Sequence, residues 1–479
     1  MLDVAQDAVE AARRAGAGYA DARFVSEESE SLSVKNLEMQ AADRSYAQGV
    51  GIRVLVDGFW GFAATAPAEE AEVGRAAALA VQIARAASRL PMEPVRLAEV
   101  EPVTAEWSTP IEEDPFDVPL EEKVAVLVEA SERMRGVKGL SFAEATVDFY
   151  RRRTAFASSE GAAIRQTVVN SGGGMEATAV GEGEMQRRSF PNSFRGHIAG
   201  AGYEHIRSLG LREEAERIAR EAVDLLSAKD CPSEETTLVL DTSQVVLQVH
   251  ESVGHPVELD RVFGMEEAYA GTSFLTPEDR GRLRYASPLV TITADATLPG
   301  GLGTFGFDDE GVPAQRSTVI RDGVFQDFIS SRETASVLGE RSSGSMRADG
   351  WQNLPLIRMT NINLEPREGT LEEIVADTRD GILMATNQSW SIDDKRVNFQ
   401  FGCEIAWRIR KGRLAELYRN PNYTGTTTEF WRSCDAVGGP EAWRVWGTPN
   451  CGKGQPGQIA RVGHATPPAR FRGVQVGVR

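Results

Sequence analysis

Cysteine and histidine are scarce in this chain. Cys231, Cys403, Cys434 and Cys451 are the only cysteines in 479 residues. They are too few and too scattered for a disulfide framework, so a reducing compartment is expected and a cysteine stays available as a thiolate. Positive charge is also in deficit. Lys and Arg number 52 against 70 Asp and Glu, leaving a formal net charge of -18 and a pI near 5.0. A phosphate backbone would be repelled by that average, which argues against a nucleic-acid partner. No apolar run approaches the ~20 residues of a spanning helix, so no membrane partner is expected. The opening segment, MLDVAQDAVEAARRAGAG, lacks the basic-then-apolar order of an export signal and reads as an amphipathic helix, which with the cysteine usage points to the cytoplasm. A G-x-S-x-G elbow is missing too, and this disfavours a serine nucleophile.

What is present is the balance of a soluble globular protein, 41% hydrophobic and 25% charged, in a chain long enough for two or three domains. Residues 1–90 read as helix (Asp3 to Arg14), strands (among them Gly51 to Val56 and Phe59 to Ala64, joined through Asp57-Gly58) and helix (Glu69 to Leu90). Six prolines and many acids between Pro91 and Pro119 suggest a linker. Residues 120–232 repeat the same order, with helices over Glu121 to Met134 and Arg212 to Ala228 around strands at Ser141 to Arg151 and Ala162 to Val169. The glycine-rich stretch Ser171 to Glu184 has no P-loop lysine and reads as a turn. From 233 to 479 short strand patterns dominate, with hairpin turns at Asp322-Gly323 and Lys411-Gly412 and a helix from about Leu371 to Asp377. The fold class that follows is α+β, two helix–strands–helix units ahead of a large, mainly antiparallel β domain.

Chemistry concentrates in TTLVLDTSQVVLQVHESVGHPVELD, Thr236 to Asp260. It predicts a strand ending near Asp241 and a helix capped by Thr242 or Ser243, with Val245, Val246, Val249 and Val253 on its apolar face. His250, Glu251 and His255 form H-E-x-x-x-H. At about 100° per residue an i,i+5 pair lies about 140° apart on a straight α-helix, so both rings can face one ion only if the helix ends or bulges at Gly254-His255. By composition such a motif arises by chance in under ~1% of chains of this length. A catalytic zinc takes three protein ligands and keeps a fourth position open. Cys451, in the turn TPNCGKGQPGQ with Lys453 nearby to favour its thiolate, is a candidate third ligand. Cys403, in a strand pattern, Cys434 and His464 are its rivals.

The chain resembles the TldD/PmbA family of metallopeptidases, on its TldD branch. The resemblance rests on HESVGH (His250 to His255), DDEGVPAQ (Asp308 to Gln315), the IRDGVF turn, RMTN (Arg358 to Asn361) and CGKGQ (Cys451 to Gln455), in that order. It implies a metal, expected to be zinc, on His250, His255 and Cys451, with Glu251 as general base in peptide hydrolysis. It also implies a dimer, either of like chains or with a TldE/PmbA-like subunit, that admits short or unfolded peptides. Arg358 and Asn361 are candidates for substrate contacts, with a structural turn as the other reading. The alternative function is a zinc-containing scaffold or partner subunit that binds peptides without cutting them. Three ligands beside a glutamate favour catalysis, because a purely structural zinc normally completes its shell with a fourth residue.

Overall fold

The computed structural model describes residues 1–181 and 183–478. The first helix forms as α1 (Leu2–Arg14), burying Ala5, Ala8, Val9 and Ala12 at helical spacing. With α2 (Glu70–Ala87) it covers one face of β1 (Tyr19–Lys35), β2 (Glu38–Val56) and β3 (Phe59–Thr65). The Pro-rich stretch 91–119 carries β4 (Thr104–Ser108). Next, α3 (Leu120–Arg135), a short α4 (Glu204–Ser208) and α5 (Leu211–Ser227) pack on β5 (Phe142–Ser158), β6 (Ala163–Gly181), β7 (Glu184–Phe190) and β8 (His197–Ala199). The two units share one sheet, ordered β3-β2-β1-β5-β6-β4, because β1 pairs antiparallel with β5 from Asp21↔Ser158 to Lys35↔Glu144. β4 joins its edge parallel to β6.

The glycine-rich stretch departs from expectation. Residues Ser171 to Gly181 lie within the long strand β6, not in a turn. A Cβ on Gly174 would fall 2.4 Å from Gly196 Cα, and one on Gly172 would fall 2.3 Å from Ile198 Cγ1. The glycines permit backbones to touch, a use of glycine that composition does not distinguish from a turn.

The C-terminal half builds a second eight-stranded sheet in the order Asp380–Ile392, Glu234–Leu240, Ala469–Val476, Asn422–Thr426, Asn398–Arg410, Arg413–Arg419 and Lys229–Asp230, with Cys434–Val437 paired to Ala469–Val476. Four shorter strands form a further sheet, and Arg444–Lys453 pairs with Gln458–Thr466 as a separate hairpin. Most of the pairings are antiparallel, and the fold is α+β. The three hairpin dipeptides take the left-handed φ values that tight turns demand: 53 and 85 at Asp57-Gly58, 47 and 81 at Asp322-Gly323, 49 and 74 at Lys411-Gly412.

Ion pairs tie the halves together. Arg53 bridges Asp21 at 2.7 Å and Glu310 at 3.1 Å. Arg332 reaches Glu160 at 2.8 Å, and Glu404 accepts hydrogen bonds from Arg188 Nη1, Ser189 N and Ser189 Oγ, each at 2.7 Å.

Candidate metal centre

The strand Glu234–Leu240 delivers the chain to α6 (Thr242–Val249). The cap is Asp241, one residue before the expected positions: its carboxylate accepts from Ser243 N at 2.9 Å and from Ser243 Oγ at 2.5 Å. α6 runs without a break into a π-helical turn, His250–Gly254, in which His255 N donates to His250 O at 3.2 Å. The turn closes i to i+5 and so admits one extra residue. His255 thereby returns to the face of His250, with ring centroids 4.8 Å apart. Gly254 is required by a neighbour, since a Cβ there would lie 2.1 Å from Met359 Sδ.

A wide turn leaves backbone groups that the α-helical ladder would have used, and buried side chains take them up. The Tyr285 hydroxyl donates to Ser252 O, and the Ser252 hydroxyl donates to Gln248 O. Ser252 Oγ also accepts from Gln248 Nε2 at 2.9 Å and from Trp431 Nε1 at 2.8 Å. Tyr423 donates to Gln248 Oε1 at 3.0 Å and accepts from Gln244 Nε2 at 3.1 Å. These polar groups are all buried, so each bond avoids the desolvation cost of an unpartnered donor or acceptor.

Cys451 comes from the hairpin, opposite Ala460. One ligand atom each from His250, His255 and Cys451 lies within 4.8 Å of the others, and the Cys451 Sγ to His255 Nε2 separation is 3.8 Å. Two such ligands on one tetrahedral zinc stand roughly 3.6 Å apart.

Hydrogen bonds fix which ring nitrogens are free. His464 Nδ1 lies 2.9 Å from Ile362 O, which can only accept, so that nitrogen carries the proton and His464 Nε2 is an acceptor. His250 Nδ1, 2.8 Å from His464 Nε2, must therefore donate, leaving a lone pair on His250 Nε2. His255 Nδ1 donates to Glu258 Oε2 at 3.0 Å, leaving Nε2 free on the side of Cys451. Burial lowers the pKa of all three rings, that of His255 to about 4. Burial alone would raise the Glu258 carboxyl, but Lys453, His255 and Arg261 outweigh it and hold Glu258 well below the usual range.

The four thiols separate sharply. Burial would raise the pKa of Cys451 as well, but His255 and Arg358 bring it down to about 7. Cys231 and Cys434 are pushed up to about 12, and Cys403 goes well above its ordinary value, in each case chiefly by burial. Lys453 does not face the thiol as the sequence suggested. Its Nζ bonds Asp260 at 2.7 Å and Ile357 O at 2.8 Å.

Glu251 Oε2 accepts from Arg396 Nη1 at 2.8 Å, and Oε1 accepts no hydrogen bond among the described residues. Arg358 and Asn361 are buried and hydrogen-bonded to the protein itself, although Arg358 Nε has no partner among the described residues. Arg358 donates to Cys451 O and to Gln458 O, the latter at 3.1 Å. Asn361 Nδ2 donates to Asp295 O at 2.6 Å and to Thr304 Oγ1 at 2.9 Å, while its Oδ1 accepts from Gly303 N at 3.0 Å. Sequence reasoning missed Arg396 and Glu258 and weighed His464 as a rival ligand or a polar surface residue, not as the buried partner of His250. Glu258, three residues after His255, was the one with a signal.

Two imidazole nitrogens with free lone pairs and an acid-shifted thiol make a donor set that fits zinc with a fourth position left over.

The chain is similar to known metallopeptidases along most of its length. A model described as the PmbA/TldA metallopeptidase C-terminal domain matches residues 233–478, and those of domain 1 and the central domain match 20–84 and 113–229. A metalloprotease of Methanothermobacter thermautotrophicus is 30% identical, covering 96% of this chain and 95% of its own. Metalloprotease MJ0996 of Methanocaldococcus jannaschii is 27% identical over 88% of this chain and 89% of its own. A zinc metalloprotease TldD homolog of Saccharolobus solfataricus is 22% identical over 42% of this chain and 44% of its own. Among solved structures, TldE from Thermococcus kodakarensis superposes with a TM-score of 0.74 at 17% identity, covering 99% of this chain and all of the other.

Proposed function

We propose that this chain, which belongs to the PmbA/TldA metallopeptidase family, hydrolyses short or unfolded peptides with zinc on His250, His255 and Cys451 and with Glu251 as general base. The observation that carries the reading is the tautomer lock: Ile362 O through His464, and Glu258, leave the two Nε2 lone pairs available beside a thiol of depressed pKa. Zinc is also the metal in the name of the Saccharolobus relative. Bound there, zinc would polarise a scissile carbonyl and make water a nucleophile near neutral pH. Arg396 orients Glu251 through Oε2, so that Oε1 can take the proton of the attacking water and return it to the leaving amine.

Glu251→Gln should keep one equivalent of zinc and lose on the order of 10²-fold or more in peptide hydrolysis. Unchanged turnover would remove Glu251 from the reaction, and absence of stoichiometric zinc after reconstitution would remove the metal. The assembly that goes with this reading is a homodimer, or a heterodimer with a TldE/PmbA-like subunit, supported by the likeness in fold to TldE. Light scattering that finds a fully active monomer at micromolar concentration would reject it. No helix of the described residues is long and apolar enough to cross a membrane, and the cysteines are free, as a cytoplasmic location would have them.

A further inference from the structure

A concavity of about 370 Å³, lined in part by the loop that follows the histidine turn and by the hairpin that follows Cys451, is not used by the hydrolytic reading. Its apolar walls are Phe62 from β3, Met265 and Tyr269 from the loop after the metal-binding turn, Leu354, Leu356 and Pro456. Met265, Tyr269 and Leu354 are 52%, 68% and 40% exposed, so three large apolar side chains meet at its rim. The volume is at the small end for ligand pockets, enough for one side chain and too little for a folded element.

Two bonded connections join this concavity to the reacting groups. The loop carrying Met265 and Tyr269 continues to Ala270, whose carbonyl accepts from Arg261 and, at 3.4 Å, from Arg396 Nη2. Arg261 binds Glu258, the partner of His255, and Arg396 binds Glu251. On the opposite wall, Gln458 Nε2 donates to Leu354 O at 2.9 Å, and Gln458 O accepts from Arg358, which also holds Cys451 O. The walls are therefore continuous with both halves of the centre, the histidine turn and the cysteine strand.

We infer that this concavity is a specificity pocket that receives one large apolar side chain, aromatic or branched, of the peptide being cut. The inference rests on the peptidase reading for its substrate. Glu266 is the one charged residue in the lining, so a basic side chain is the competing occupant.

The test uses peptides that differ at one position, Phe, Leu, Lys, Asp or Gly, with wild type and with Tyr269→Ala and Leu354→Ala, whose exposed side chains can be shortened without opening the core. At one position along the peptide, Phe and Leu should exceed Gly by roughly 10- to 100-fold in kcat/KM, and each variant should compress that ratio to under about threefold. Calorimetric binding of the same peptides to Glu251→Gln should give the same ranking without any hydrolysis. If the ranking appears in binding but wild type cuts nothing, the peptidase reading fails and the pocket stands. If wild type cuts all five at similar rates, or if Lys leads, the pocket assignment is overturned and hydrolysis is untouched.

Discussion

The helix α5 and the α6–π segment lie close together in sequence and are built on opposite terms. α5 buries Leu211, Ala215, Ile218, Ala219, Ala222 and Leu225 on one stripe and sets Arg–Glu pairs on the other, such as Arg217–Glu221 and Arg220–Glu216, both at 2.7 Å. Thr242 to Gly254 is buried on every side, including Gln244, Gln248, His250, Glu251 and Ser252. In the first, polar residues are outside because water is their cheapest partner. In the second, most polar side chains are committed to a protein partner or belong to the candidate metal set, although Gln244 Oε1 has no partner among the described residues. Buried polarity of this kind marks where a chain gives up stability to hold chemistry in place.

That contrast can be broken most severely at the metal. Cys451→Ser should lose zinc and abolish hydrolysis, because a hydroxyl ionises far less readily than a thiol and binds zinc poorly. Cys231→Ser, Cys403→Ser and Cys434→Ser should keep zinc. Metal content and cleavage across the four proteins decide it, and a zinc-replete Cys451→Ser would disprove the ligand set. His464→Phe, which leaves His250 Nδ1 without its acceptor, should lower zinc affinity roughly 10- to 100-fold in chelator competition. Retention of wild-type affinity would mean that His464 does not orient its neighbour. Gly254→Ala drives a Cβ into Met359 and should cost about 1–3 kcal/mol in urea unfolding. Arg217→Ala, on the exposed face of α5, should stay within about 0.5 kcal/mol. Equal effects for these last two would show that the π turn is no more tightly packed than a surface helix.

Legibility in the sequence followed the same division. Patterned elements were readable: α1, α5 and the Asp-Gly and Lys-Gly hairpins each obey a local rule of spacing or left-handed φ. The His250–His255 pair was readable because its spacing is improbable, and the geometric conflict of i,i+5 required the helix to end or bulge at Gly254-His255; the helix in fact runs on through a π turn. That the bulge begins at His250, and that Ser252, Gln248, Tyr285, Tyr423 and Trp431 hold it, depends on contacts between segments far apart in the chain. Arg396 meets Glu251 across 145 residues, and His464 meets His250 across 214. No local pattern encodes such meetings. Gly172 to Gly174 misled for the opposite reason, since a local rule for turns applies equally to strands pressed together.

Glu404 bears on any attempt to dissect the protein. Its side chain lies in the C-terminal half, yet its three hydrogen bonds come from Arg188 and Ser189, upstream of residue 233. Expressing 233–479 alone would strand that carboxylate, and Glu310 would lose Arg53 as well. Both carboxylates would then meet water in place of their partners, and Ala385 and Ile405 would lose Leu225, with which they form one buried cluster. The half that holds His250, His255 and Cys451 is thus not a transplantable cassette: the first 232 residues supply its counter-ions and part of its cover, and a chain cut at that boundary should be isolated as an aggregate.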